Sequence, residues 1–339
     1  MGDVIHSLPA VSALRASFPS AVIGWAIEER WAALLSSPQA RFAPRGPGKP
    51  LVDILHIVNT RAWRTAWLSD ETWREIKDTV TGLRAAQYDV SIDIQGAMKS
   101  AVLGRLARPL RRFGFAQPWE SAATMFYSHQ VQATGTHIAD RNWSLVTAAG
   151  ATAKPQEVFP IPLDVMAEVW ADAKLQERGL KEFAILNPGA GWGSKCWPAE
   201  RFGEVARKLA ASGIASVINA GPGEEDLVRA VESASGGIAV QLSASLPELI
   251  ALMRRATLFV GGDTGPLHLA VALNTPSVAL FGPTDPARNG PYSGRAIVVR
   301  SPQSVTTYKR STQIEDGLSS ISADEVLAAA SQILGRTLA

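Results

Sequence analysis

The stretch LFVGGDTGPLHLAVAL, residues 258–273, decides the fold. An apolar, β-prone run ends in Gly261-Gly262, passes through Asp263-Thr264-Gly265, and meets Pro266 at the first position of a helix that is apolar on every side. Strand, glycine turn and buried helix in that order belong to a parallel sheet covered on both faces. Such sheets bind ligands beyond the carboxyl ends of their strands. Glycines there let a ligand approach the backbone, and the N–H groups and dipole of the new helix favour a phosphate or diphosphate. A plainer reading fits equally well, with Asp263 or Thr264 capping the helix and His268 packing on the sheet. Aspartic-protease chemistry, which an Asp-Thr-Gly triplet also suggests, needs two carboxylates sharing a proton. The chain has no second such triplet, which excludes it.

Outward from this stretch the same alternation repeats. AVIGWAI (21–27), LVDILHIV (51–58) and YDVSIDI (88–94) read as strands, each followed by a segment with helical spacing. TAKPQEVFPIPLD (152–164) holds three prolines and no periodicity. Beyond it the alternation restarts with FAILN (183–187), ASVINA (215–220), GIAVQL (237–242), TLFVGG (257–262) and PSVALFG (276–282). The expected organisation is an N-terminal α/β domain over 1–153, a linker over 154–164 and a second α/β domain over 165–320. A closing helix over 321–339, with a Ser cap and acids in its first turn, is free to pack back on the N-terminal domain.

The second domain carries a further post-strand loop, FAILNPGAGWGSKCWPAERF, with Gly189 and Lys195 in it and a helix expected after Trp197-Pro198. It matches neither the dinucleotide fingerprint nor a Walker loop. A loop lysine is ordinarily just solvated, but here it shares a domain with the diphosphate candidate and is suited to neutralise a phosphate leaving group. The loop after 215–220 offers Glu224 and its neighbours, either as ribose-binding carboxylates or as partners of a helix dipole. In the first domain, Arg61-Ala-Trp63-Arg64-Thr-Ala-Trp67 follows a strand. Forked guanidinium contacts to a polyanion are one use of it; a solvated helix face is the use that spacing alone favours. Gln95, Gly96 and Lys99 follow the next strand, and His137 precedes Arg141 at helical spacing.

Composition narrows the classes. The chain has 339 residues, 46% apolar and 19% charged, enough for two packed cores. A net charge of +2 is too small to argue for nucleic acid and is compatible with an acidic substrate or an anionic membrane surface. One cysteine, Cys196, excludes an internal disulfide and fits a reducing cytoplasm. No apolar run is long enough to span a bilayer, and the start lacks the pattern of a signal peptide. No Asp-x-Asp pair and no His/Cys cluster with ligand spacing occurs, so no obligatory metal or cofactor is expected.

Taken together and in order, MGDVIHSLPAV, SIDIQGAMKSA, the KCWP block, GPGEED, GGDTGPLHLAVAL and FGPTDP resemble the ADP-heptose:lipopolysaccharide heptosyltransferases, glycosyltransferase family 9. The segment 61–67 and the stretch ending ATMFYS are similar to the members that add the first heptose. The resemblance implies a GT-B fold of two doubly wound, Rossmann-like domains facing across a cleft. It implies inverting transfer of L-glycero-D-manno-heptose from ADP-heptose to Kdo of the lipid A-linked inner core. Asp3 matches the family's base, Lys195 the lysine near the donor phosphates, and Thr264, Gly265 and His268 the diphosphate loop, with Asp263 beside them and Gly189 and Glu224 on the donor side. Arg61, Arg64, Gln95, Lys99, His137 and Arg141 fall where the anionic acceptor is expected, and Trp119 stands where an acceptor-side arginine is expected. The implied protein is a cytoplasmic monomer, peripheral on the inner membrane, without nucleic-acid partners. Alternatives are a second-heptose enzyme, another GT-B transferase, or a nucleotide-sugar-binding module without catalysis. A nicotinamide enzyme is disfavoured, because no first strand leads into Gly-x-Gly-x-x-Gly.

The opening MGDVIHSLPAV reads as the loop and first helical turns that follow a strand, yet no strand precedes it. The expectation is a first domain without its first strand, or a start assigned to an internal Met.

Overall fold

The computed structural model describes residues 1–155, 159–292 and 294–338. Its contacts divide the chain into two units, His6–Asp164 in one and Met1–Ile5 with Val165–Ala339 in the other. Of the expected linker 154–164, residues 156–158 lie outside the described residues, and the division itself falls after Asp164.

The first unit takes up most of α1 (Gly2–Ser17) and continues with β1 (Gly24–Glu28), β2 (Ile54–Val58), α2 (Thr60–Thr65), α3 (Asp70–Ala85), β3 (Val90–Asp93), α4 (Met98–Leu106), β4 (Arg111–Phe115), β5 (His129–Val131) and α5 (Ile138–Ala148). Helix α1 runs on through Pro9, held by a nearly continuous buried face of Ile5, Leu8, Ala10, Val11 and Ala13. All strand pairs are parallel, but they form two sheets, β1-β2 and β3-β4-β5. Among the described residues no strand bridges β1 and β3. Tyr88, just before β3, lies against β1 there: a Cβ on Gly24 would sit 1.8 Å from its hydroxyl, which bonds His56 Nε2 of β2 at 2.8 Å. Strands β4 and β5 escape the sequence reading, since RRFGF opens on two arginines and HQV is three residues long.

The second unit comprises α6 (Val165–Glu177), β6 (Phe183–Asn187), α7 (Ala199–Ala211), β7 (Ala215–Ile218), α8 (Glu225–Ala234), β8 (Val240–Gln241), α9 (Leu246–Arg255), β9 (Leu258–Gly262), α10 (Gly265–Ala272), β10 (Ser277–Phe281), α11 (Pro286–Asn289), β11 (Ala296–Arg300), α12 (Asp316–Ser320) and α13 (Ala323–Leu334). Its strands make one parallel sheet ordered β11-β10-β9-β6-β7-β8. Every residue of β6, β9 and β10 is buried, which is why these strands read as unbroken apolar runs. Helix α13 opens on a capping box of Ser322 and Glu325, ends at Gly335 in the left-handed region, and buries Val326, Leu327, Ala329 and Ala330 in this unit's core. It is therefore part of the second unit's packing, where the sequence left it free to join the first. The chain moves from β6 outward through β7 and β8, then crosses to β9 on the other side of β6. The order reverses between β6 and β9, and in open sheets that is where a ligand crevice forms.

Candidate active site

Two loops flank this reversal, Pro188–Pro198 after β6 and Asp263-Thr264 after β9. The first carries a tight turn over Gly193–Lys195 that brings Lys195 back over the strand ends. Lys195 Nζ donates to Asp263 Oδ2 at 2.7 Å and to the Asp263 carbonyl at 3.3 Å. The other carboxylate oxygen, Oδ1, lies 3.2 Å from His268 Nε2. Asp263 is 7% exposed. Burial alone pushes its carboxyl up, but the bond and charge of His268 and those of Lys195 outweigh it and hold the group well below the usual carboxylate range. A lysine has three donors. Two are committed to Asp263, and the ammonium also lies 4.6 Å from the Trp192 ring centroid, with the Arg310 guanidinium 5.6 Å from the same ring.

Helix α10 starts two residues beyond Asp263, at Gly265. Thr264 is its N-cap and makes no side-chain cap bond, and Pro266 falls at the second helical position, one later than the sequence suggests. Glycines here are fixed by what they touch. A Cβ on Gly262 would meet the Lys195 carbonyl at 2.9 Å, and one on Gly189 would meet Glu224 Oε1 at 2.2 Å. Glu224 Oε2 accepts the Gly221 N–H at 2.7 Å, which turns its carboxylate back toward Gly189. The first turn of α1 belongs to this unit: a Cβ on Gly2 would lie 3.2 Å from His268 Cδ2, and one on Gly265 2.6 Å from Met1 Cβ. Asp3 is exposed on that turn, in a helix and not in a loop. The arrangement offers an ammonium, an uncapped helix N-terminus and a carboxylate whose ionised form is favoured, within one recess of the strand ends, a combination that suits a diphosphate beside a hydroxylated group.

In the first unit the strand ends carry different groups. Glu28, the last residue of β1, accepts the Thr60 hydroxyl, and Lys99 Nζ lies 3.2 Å from Thr60 Oγ1 and 3.7 Å from Glu28 Oε1. Asp93 closes β3 and accepts the N–H groups of Gln95 and Gly96 at 3.0 and 3.1 Å on Oδ1, with the Tyr127 hydroxyl at 2.6 Å on Oδ2. Burial, and then that bond to Asp93, raises the Tyr127 hydroxyl far above its usual range. Gly96 holds a φ of +68°, which lets the loop turn toward α4. Arg61 and Arg64 are exposed on α2. His137 caps α5, its Nδ1 accepting the Ala139 N–H at 3.1 Å, and Arg141 lies over the Phe115 ring at 5.9 Å. Trp119 is 82% exposed. Sequence reasoning missed Glu28, Thr60 and Asn187. The signal for Asn187 was present, since a polar residue closing the apolar run FAILN is an exception that asks for a reason.

Residues 77–318 match the family model described as glycosyltransferase family 9 (heptosyltransferase). Lipopolysaccharide heptosyltransferase 1 of Escherichia coli is 30% identical over 331 residues, 95% of this chain and 97% of that protein. The structure of the E. coli heptosyltransferase WaaC with ADP superposes with a TM-score of 0.77 at 28% identity, covering 98% of this chain and 97% of that one. The same enzyme with ADP-2-deoxy-2-fluoro heptose gives 0.74 at 27% identity, covering 98% and 96%. Two α/β units with parallel sheets, matching that structure over nearly the whole chain, define a glycosyltransferase of GT-B type. The chain belongs to glycosyltransferase family 9, the heptosyltransferases.

Proposed function

We propose that the chain transfers L-glycero-D-manno-heptose from ADP-heptose, with inversion, to Kdo of the lipid A-linked inner core. The observation that carries this reading is the Lys195–Asp263–His268 cluster beside the uncapped start of α10. Charge develops on the diphosphate as the anomeric bond breaks, and preorganised donors in a water-poor recess stabilise it most. Lys195 and the N–H groups at the start of α10 are such donors, while the ionised Asp263 accepts from heptose hydroxyls. Gly189 and Glu224 form the ribose side. Asp3, on the helical turn beside His268, takes the proton from the acceptor hydroxyl. Arg61, Arg64, Gln95, Lys99, His137 and Arg141 face the anionic acceptor from α2, α4 and α5 and the loop before α4. Trp67, Leu68 and Trp73, all more than half exposed near Arg61, Arg64 and Arg74, support contact with an anionic bilayer on the cytoplasmic side. No metal or other cofactor enters this scheme, and the enzyme works as a monomer.

The test is product analysis after mixing the protein with ADP-heptose and Kdo-lipid A. Release of ADP with an acceptor heavier by one heptose is expected. An unchanged acceptor, or a product only with a different nucleotide sugar, overturns the reading.

A further inference from the structure

Asn187 closes β6 at the strand reversal and is 5% exposed. A buried amide costs free energy unless its polar atoms are bonded, so its partners are informative. Nδ2 donates to the Gly189 carbonyl at 2.9 Å and to Thr264 Oγ1 at 3.4 Å, and Oδ1 accepts from Asn219 Nδ2 at 2.6 Å. One side chain thus ties together the loops after β6, β7 and β9.

Its bond to Thr264 has a further consequence. Thr264 holds the extended backbone of an N-cap, φ −141° and ψ 169°, from which a threonine hydroxyl ordinarily accepts an N–H of its own helix. It makes no such bond. The hydroxyl instead donates back to the Gly262 carbonyl at 3.2 Å and accepts from Asn187. A capping hydroxyl and a phosphate compete for the same first-turn donors.

We propose that Asn187 is a positioning residue: it holds the Thr264 hydroxyl off α10 and so keeps that helix N-terminus open for the donor's diphosphate. The inference rests on the reading of this recess as the ADP-sugar site. Removing the amide frees Thr264 to cap its own helix, and a ligand must then displace that cap. A cap of ordinary strength corresponds to about five- to tenfold in affinity.

The experiment is calorimetric ADP titration of the wild type, Asn187→Leu and the double variant Asn187→Leu/Thr264→Val. Leucine matches the amide in size, and valine removes the competing hydroxyl while keeping the side-chain shape. Asn187→Leu is expected to bind ADP about five- to tenfold more weakly, and the double variant to bind more tightly than Asn187→Leu alone. A purely structural role for Asn187 predicts the opposite order, with the second substitution adding to the damage. The same pair built on Asn187→Ala gives the comparison if leucine does not fit. Wild-type affinity in Asn187→Leu, or a double variant no tighter than its parent, overturns the proposal. Failure of the wild type to bind ADP would instead overturn the reading of the site.

Discussion

The two units solve the same architectural problem differently. The second joins six parallel strands into one sheet and brings loops from β6, β7 and β9 to a single reversal point, where buried groups fix one another. The first keeps five parallel strands in two sheets and carries its candidate groups exposed on α2 and around α4 and half-buried at the start of α5. On the proposed function the difference separates two kinds of recognition: a diphosphate undergoing bond cleavage is served by charges that need no reorganisation, and an acceptor that must only be held is served by groups nearer the surface.

The largest effect tests the chemistry proposed for the second unit. Asp3→Asn should lower kcat by about 10²- to 10⁴-fold, the range for a lost general base, while calorimetry shows ADP affinity near wild type. Turnover close to wild type would remove Asp3 from the mechanism. Next come the two lysines, one from each unit. Lys195→Met is expected to cost kcat about 10²- to 10³-fold, as loss of a transition-state donor does, and to weaken ADP binding as well. Lys99→Met should leave ADP binding and kcat nearly unchanged and raise only the acceptor KM, by about three- to tenfold. Equal effects of both on both substrates would erase the distinction between the units.

The smallest effects are on stability, and they fall in different pH windows. Burial lowers the pKa of His56 from its ordinary 6.5, so the unfolded chain takes up a proton first and the first unit loses stability as pH falls below about 6.5. His56→Gln should flatten that slope. Asp263 sits below its ordinary 3.8, so its contribution is complete above about pH 4 and is lost only as pH falls through the lowered folded-state value. Chemical unfolding followed across pH 4–7 should therefore show the first unit weakening while the second holds. Simultaneous weakening of both would contradict the assignment.

Much of this arrangement was legible in residue order. FAILN, TLFVGG and PSVALFG announce buried parallel strands, and GGDTGP announces a glycine turn feeding a helix, because local chemistry settles both. Partnerships were not legible. Lys195 and Asp263 are 68 residues apart and Asn187 and Thr264 are 77 apart, so their bonds depend on the sheet order that places β6 beside β9. The local pattern left Asp263 and Thr264 as possible caps; their side chains bond elsewhere, Asp263 to Lys195 and Thr264 to Gly262 and Asn187. In the first unit, His137 took the ordinary role that a lone histidine suggests, as a helix cap. The resemblance to heptosyltransferases pointed to the fold and family directly, but it carried no information on how Lys195 shares its charge with Asp263.

The most direct test of the central claim, that the recess between β6 and β9 is built for a diphosphate, compares calorimetric affinities of ADP and adenosine for the wild-type protein. Charge-assisted contacts from Lys195 and the start of α10 predict ADP binding tighter by at least about tenfold, with the advantage shrinking in Lys195→Met. Equal affinities for ADP and adenosine, or an advantage untouched by Lys195→Met, would contradict it.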